Sequence, residues 1–481
     1  MPYLSTRDRR QPPERVPFDA VLRDGLAHDG GLYLPVDWPR LTAADLKSFQ
    51  GKSYVEIATR VTAPFLDGII APAAWEKMVA DAYSGFDHQP DIAPLRALEP
   101  GFWLLELFHG PTLAFKDYAL QLVGRLFEHV LEQRRARVTI IGATSGDTGS
   151  AAIAGCSGAE LVDIFMLYPK GRISEAQRRQ MTTVTAPNVY AIAVDGTFDD
   201  CQDLVKAMFA DVPFRRDLNL SAVNSINWAR IMAQIVYYVA AAVALGAPER
   251  SVGFTVPTGN FGNVFACHVA RRMGVPIAEI VIATNRNDIL TRFFETGTMG
   301  METVEPSLSP SMDIQVASNF ERFYYELKDG DAGAVADGVA AFRRSGTLLV
   351  SEAEWRAAGA QFTAARVDDA GTIAEIAATY RKSNIVLDPH SAIAVAAAKA
   401  KRRDPNLPMV ALATAHPAKF PDAVKRAIGR LPEIPECLSA LMQLPERAPA
   451  LPNDLTAVED YVRAHARAAQ MANQIQGVAV S

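Results

Sequence analysis

From about residue 96 to residue 413, short apolar, β-branched runs alternate with stretches of helical periodicity, and this alternation most constrains the fold. Val138-Thr-Ile-Ile-Gly142 reads as a buried strand, and similar runs lie at 161–168, 189–194, 253–256, 280–284, 385–387 and 409–413. Between them, Phe115, Ala119, Leu122, Val123, Leu126, Phe127 and Val130 step by three and four, so the spacing predicts an amphipathic helix up to Arg134-Arg135. Further helices are expected at about 174–182, 199–210, 226–245 and 263–273. The pattern predicts an α/β protein with mainly parallel open sheets flanked by helices, in which ligands sit at the carboxyl ends of strands. Residues 1–95, with short elements broken by Gly and Pro, read as a separate small α+β domain; 96–430 read as the core. Residues 431–481 read as a C-terminal helical tail packed on the outside.

Composition limits what such a chain does. With 481 residues, 49% of them hydrophobic, it can bury a large core without disulfides or metals. The longest apolar run, 235–247, falls short of the roughly 18 residues that cross a bilayer, and the N-terminus lacks the apolar run of a secretory signal. No membrane association is expected, and the default compartment is the cytoplasm. Cys156, Cys201, Cys267 and Cys437 are too scattered for a CxxC pair, and the eight histidines do not pair at helical spacing, so no metal site is expected. A net charge of −6 without a basic block gives no basis for nucleic-acid binding. An anionic ligand must therefore be held by local groups.

Five constellations supply such groups. Gly259-Asn260-Phe261-Gly262-Asn263 follows a strand and opens a helix, where glycines permit φ > 0 and backbone N–H groups converge on one anion. The same turn could simply need glycine. Ala143-Thr144-Ser145-Gly146-Asp147-Thr148-Gly149-Ser150 is a second turn of this kind, in which helix capping accounts for two or three residues but not for all eight. Lys116, in His109-Gly-Pro-Thr-Leu-Ala-Phe-Lys116-Asp117, lies beside the apolar face of its helix, where desolvation favours a neutral amine suited to a Schiff base or proton transfer. An isolated lysine is ordinarily a surface cation; two neighbouring anion cups make this one a candidate. Asn224-Ser225-Ile226-Asn227-Trp228-Ala229-Arg230 carries amide, hydroxyl and guanidinium donors into a long helix, either to bind phosphate or as an Asn224 cap and a surface Arg230. Thr414, in Leu412-Ala-Thr-Ala-His-Pro417, puts a hydroxyl at a strand end, where it could meet a ring nitrogen or cap the turn.

One lysine, one glycine-rich cup and one strand-end hydroxyl, in that order, resemble the tryptophan-synthase-β-like group of pyridoxal-phosphate enzymes. With Tyr3, Ser5-Thr6-Arg7, Gly31-Leu-Tyr-Leu-Pro35, His109 to Asp117, the 142–149 loop, Asn224 to Arg230, GNFGN and Ala413-Thr-Ala-His-Pro417, the chain resembles the threonine synthase family in its longer form, over essentially residues 1–425. The resemblance implies a two-lobed catalytic core. It implies that Lys116 holds pyridoxal 5'-phosphate as a Schiff base, that Gly259, Asn260, Phe261, Gly262 and Asn263 hold its phosphate, and that Thr414 meets its ring nitrogen. It also implies that Asp147 lies near the cofactor's 3′-oxygen, at a place where many relatives have asparagine. Thr144, Ser145, Gly146 and Thr148 then take the substrate carboxylate, and Asn224, Ser225 and Arg230 its phosphate. The implied reaction converts O-phospho-L-homoserine and water to L-threonine and phosphate, in a monomer or homodimer. A phospholyase or dehydratase on the same scaffold is the alternative. A non-catalytic anion-binding relative is a more distant one.

Overall fold

The computed structural model describes residues 1–66 and 68–468, and the end of the expected tail, 469–481, lies outside them. The chain divides into two compact units.

The first unit comprises Met1–Val21, Leu26–Ala119 and Ser225–Glu433. Its six-stranded sheet runs Thr363–Arg366, Ile277–Thr284, Val252–Pro257, Met409–Ala413, Phe102–Glu106, Leu95–Glu99, all parallel except the last pair. Val252–Pro257 and Met409–Ala413 are buried along their whole length, as expected where helices cover both faces of a parallel sheet. Three adjacent strands therefore point their carboxyl ends the same way. Val252–Pro257 leads into 259–263, Met409–Ala413 into Thr414, and Phe102–Glu106 into the loop carrying Lys116.

The expected strand at 385–387 is not one. It is a connector between the helix Asp369–Ser383, closed by Asn384 at φ 55°, and the helix Pro389–Lys401, capped by the Asp388 carboxylate. Ile385 and Leu387 are apolar because they anchor this connector in the core, at 5% and 2% exposure, not because they pair with a strand. The N-terminal motifs at 3–7 and 31–35 hold a two-stranded antiparallel ribbon, Tyr3–Ser5 against Tyr33–Pro35. Thr6 and Arg7, just beyond it, both bond the Glu321 carboxylate, Thr6 Oγ1 at 2.6 Å and Arg7 Nε at 2.9 Å.

The second unit comprises Leu22–Gly25, 120–224 and the chain from Ile434. Its sheet runs Ala450–Pro452, Val189–Asp195, Val162–Pro169, Val138–Ala143, Leu220–Ser221, parallel throughout. The tail expectation changes here. Ala450–Pro452 is the edge strand, and Val458 and Val462 of the helix Leu455–His465 are fully buried against Phe165, Ile192 and Phe214. At about 1.5–3 kcal/mol per buried valine, this burial outweighs the marginal stability of a short isolated helix, so the segment belongs to the core. Its polar exposed face is what reads as a tail in the sequence.

In this unit the helices Lys116–Arg134 and Asp147–Cys156 meet at glycines. A Cβ on Gly124 would overlap the Gly155 carbonyl, and one on Gly155 the Leu120 carbonyl. Backbone cannot yield as a side chain does. Gly124→Ala and Gly155→Ala are each expected to lose about 2–3 kcal/mol, seen in urea unfolding as a lower midpoint at unchanged slope.

Candidate active site

In the first unit, the loop before Lys116 is tied to the segment after Met409–Ala413. The Leu107 N–H donates to the Ala413 carbonyl at 2.8 Å, the Phe115 N–H to Thr414 at 2.9 Å, and the His416 N–H to Leu113 at 3.0 Å. Asp117 fixes the loop from inside: its carboxylate accepts from the Thr112 N–H at 2.8 Å and from Thr112 Oγ1 at 2.6 Å, while Lys419 Nζ donates to the Thr112 carbonyl at 2.8 Å. Gly110 is required because a Cβ there would lie 2.6 Å from the Asp117 carboxylate. The HGPT-LAFKD motif is thus a clamp that presents Lys116. The lysine starts the helix Lys116–Arg134, is 8% exposed, and places Nζ 3.3 Å from Ser311 Oγ.

The turn 259–263 stands beside it. Its glycines act differently from the expectation: the residue at positive φ is Phe261, at 62°, in the left-handed conformation that starts the helix Gly262–Arg272. Gly259 and Gly262 serve close approach. A Cβ on Gly259 would lie 2.8 Å from the Ser311 carbonyl oxygen, and one on Gly262 3.2 Å from Asn319 Nδ2. Asn319 donates from its backbone N–H and from Nδ2 to the Asn260 carbonyl, at 3.1 and 3.0 Å. Asn263 accepts at Oδ1 from the Tyr237 and Tyr238 hydroxyls, and its buried Nδ2 has no hydrogen-bond partner among the described residues. Unspent helix-terminal N–H groups plus a buried amide donor form a cup fitted to a phosphate.

Thr414, 5% exposed, has its N–H bonded to Ser391 Oγ at 3.2 Å, and the Ser391 hydroxyl donates in turn to the Asp388 carboxylate. Arg230 is in the first turn of the helix Trp228–Ala244, and it is 3% exposed, so the surface-charge reading fails. Burial pushes its guanidinium down to about 10. The cap of this helix is Asn227, whose side chain accepts from the Ala229 N–H at 3.1 Å, and not Asn224. The same helix reaches the cup, since a Cβ on Gly262 would touch Ile231 Cδ1 at 3.3 Å. Lys116, Gly259, Asn260, Phe261, Gly262, Asn263, Thr414 and Arg230 are therefore joined within one unit.

Ser311 and Asn319 escaped sequence reading. They lie in the long connection 301–319, whose only sequence signal is the run Ser307-Leu-Ser-Pro-Ser-Met-Asp313. Asp313 organises it, accepting from Ser307 Oγ at 2.6 Å and Asn285 Nδ2 at 2.7 Å, with burial raising its pKa.

In the second unit, Val138–Ala143 ends in the other expected turn. Thr144 Oγ1 accepts from the N–H groups of Gly146 and Gly149 at 2.9 and 2.8 Å, so this hydroxyl shapes the turn. Gly146, at φ 133°, precedes the helix Asp147–Cys156, and the buried Asp147 carboxylate accepts from Gln177 Nε2 at 3.0 Å. Ser145 and Thr148 are half-buried. Asn224 is exposed and closes this unit, whereas Ser225 opens the last segment of the first.

Comparison with known proteins agrees with this arrangement along the chain. The family described as threonine synthase N terminus matches residues 2–83, pyridoxal-phosphate dependent enzyme matches 91–414, and threonine synthase, C-terminal matches 391–462, past the end of the resemblance read from sequence. The threonine synthase of Pseudomonas aeruginosa is 53% identical over 97% of this chain and 98% of its own. Among solved structures, pyridoxal-phosphate-bound threonine synthase from Brucella melitensis aligns with a TM-score of 0.94 at 51% identity, covering 97% of this chain and 100% of that one. The yeast threonine synthase aligns at 0.91 with 37% identity, over 96% of this chain and 98% of that one. With a clamped lysine, a phosphate cup and a strand-end hydroxyl in one sheet, and with relatives matching over nearly its whole length, this chain belongs to the threonine synthase family.

Proposed function

We propose that this protein converts O-phospho-L-homoserine and water into L-threonine and inorganic phosphate, with pyridoxal 5'-phosphate as cofactor. The observation that carries the reading is the Lys116 amine, held 3.3 Å from Ser311 Oγ beside a turn whose Gly259 admits no Cβ. Bound in that cup, the cofactor supplies the electron sink that makes the substrate's Cα and Cβ protons labile. Lys116 holds the cofactor and moves protons at these two carbons, the N–H groups of 259–263 hold the cofactor's phosphate, and the Thr414 hydroxyl meets its ring nitrogen. Arg230 and Ser225, with Asn224, hold the substrate's phosphate until it leaves Cγ; one proton taken from Cβ is returned to Cγ, which becomes the methyl group, the hydroxyl of water adds at Cβ while its proton goes to the released phosphate, and the Cα proton is restored. Thr144, Ser145, Gly146 and Thr148 are assigned to the substrate carboxylate, and Asp147 to the cofactor, on the resemblance. Arg230, buried in the first turn of a helix that reaches the cup and carrying guanidinium donors, suits a phosphorylated substrate. The proposal includes a 1–95 domain, a 96–430 core and a 431–481 C-terminal segment, in a cytoplasmic monomer or homodimer. Among the described residues, no helix is long and apolar enough to cross a membrane.

His416, on the Thr414 segment, does not compete as an acid. Burial pushes it down to about 4, with a smaller contribution from neighbouring His109, so it is neutral at physiological pH. Asp117, raised to about 6 by burial, titrates in the opposite sense. The neutral His416 stabilises the fold fully above its ordinary 6.5, and that contribution is lost as pH falls from 6.5 through about 4. Asp117 stabilises as the neutral acid below its ordinary 3.8 and loses this as pH rises through about 6.

Purified protein given pyridoxal phosphate and O-phospho-L-homoserine is expected to release phosphate and threonine in equal amounts; phosphate with 2-oxobutyrate or vinylglycine instead would make it a lyase. Lys116→Ala is expected to abolish turnover with an unchanged circular-dichroism spectrum. Arg230→Ala is expected to raise KM for the phosphorylated substrate about 10- to 100-fold while cofactor affinity moves little, as for loss of a charge-assisted hydrogen bond. The stability advantage of wild type over His416→Asn is expected to shrink by at most about 3 kcal/mol between pH 6.5 and pH 4. Urea unfolding across that range measures it, and the difference between the two proteins cancels the opposing Asp117 contribution.

A further inference from the structure

The helix Phe320–Leu327 carries a side chain that none of the roles above uses. Arg322 is fully buried, with 0% exposure, yet among the described residues no carboxylate forms an ion pair with it, since the adjacent Glu321 is held by Thr6 and Arg7. Its guanidinium instead donates to three chain segments. Nε bonds the Tyr33 carbonyl at 2.9 Å, Nη2 the Ile226 carbonyl at 2.6 Å, and Nη1 the Asn319 Oδ1. The cation also lies over the Trp228 indole, 5.8 Å from the ring centroid. Asn319 passes the connection on, because both its N–H groups end on the Asn260 carbonyl.

Each segment reached in this way has a place in the site. Asn260 belongs to the cofactor-phosphate cup, Ile226 lies between Ser225 and Arg230, and Tyr33 belongs to the N-terminal ribbon. A planar fork with five donors fixes three acceptors in one plane, which the flexible ammonium of lysine does not do. Burial of a guanidinium satisfied only by neutral acceptors is expensive, and burial pushes its pKa down to about 9 against the opposing pull of the Glu321 charge. A fold that needed only packing here would be served by an apolar side chain.

We propose that Arg322 is a positioning residue that sets the substrate-phosphate segment 225–230 against the cofactor-phosphate turn 259–263, using the N-terminal ribbon as its third anchor. This rests on the proposed assignment of those segments to the two phosphates. It gives the N-terminal ribbon a function in the chemistry, since Tyr33 supplies one of the fork's three acceptors.

The test compares wild type, Arg322→Lys and Asn319→Ala in two titrations. One is apoenzyme with pyridoxal phosphate, followed by absorbance; the other is holoenzyme with inorganic phosphate as competitive product inhibitor. Arg322→Lys keeps the charge and loses the fork, and is expected to weaken both ligands about tenfold while kcat at saturation stays within about threefold. Asn319→Ala removes the Nη1 acceptor and the Nδ2 bond to the Asn260 carbonyl while the Tyr33 and Ile226 bonds of Arg322 remain, and is expected to weaken the cofactor while leaving the phosphate inhibition constant within about twofold. Arg322→Lys with a lower melting temperature but both constants unchanged would reduce Arg322 to a structural role and overturn the proposal. Should Arg322→Lys fail to fold, Asn319→Ala decides: an unchanged cofactor affinity, or an equal loss of both ligands, overturns it. Wild type that binds neither ligand would instead overturn the assignment of the two segments.

Discussion

The hydrogen bond from the Phe115 N–H to the Thr414 carbonyl joins residues almost three hundred positions apart, and the active-site arrangement depends on it. It exists because Phe102–Glu106 and Met409–Ala413 are parallel neighbours whose carboxyl ends emerge together. Their turns must meet, and the Ala114 to Ala415 bridge extends the meeting by one more residue pair. Lys116 follows on one side and Thr414 lies on the other. The spacing of the Lys116 and Thr414 segments is thus set by sheet geometry, which is stiff, rather than by loop conformation. The Asp117 clamp on Thr112 serves the same end, since a buried carboxylate taking two hydrogen bonds from one residue leaves the turn little freedom.

Close approach is the second constraint. Gly110, Gly259 and Gly262 each occupy places where a Cβ would meet a carboxylate, a carbonyl or an amide, while the left-handed residue of the cup is a phenylalanine. Phe261 can hold that strained conformation because its ring is buried among Phe320, Phe323 and Phe362. Packing on one side of the turn therefore supplies the curvature, and glycine on the other supplies the room. A glycine at 261 would ease the backbone and lose the anchor.

This division explains what could be read from sequence. Strand and helix alternation, the Lys116 helix, the cup and the Thr414 strand end are local patterns, and each residue there advertises its role by its neighbours in the chain. Ser311, Asn319 and Arg322 do not. Their partners, Lys116, Asn260, Tyr33 and Ile226, lie from 59 to 289 positions away, apart from the Asn319 and Arg322 pair itself. A serine-rich connection looks like any loop until the sheet brings it against the cup. The segment 385–387 misleads in the opposite direction, because a buried connector and a buried strand need the same apolar residues. Ala450–Pro452 is too short to announce itself, and only the valines at 458 and 462, four apart, hint that the segment is core.

Arg230 and Arg322 pose one energetic question together. Both are buried, both have their pKa pushed down by burial, and both lie on helices that pack against the cup. A buried guanidinium held by neutral acceptors, as Arg322 is, gains little from them compared with what water offers it. In a low-dielectric surrounding, a fixed positive charge attracts an anion far more strongly than it does in water, and it needs no reorganisation when the anion arrives. The cost of burying the arginines falls on folding, and under the proposed function a bound phosphate returns part of it. That cost falls beside 225–230 and 259–263, the segments that Arg230 and Arg322 adjoin. The dense hydrogen bonding around that region, from the tyrosine pair on Asn263 to the two bonds of Asn319 on the Asn260 carbonyl, is the scaffold that offsets it.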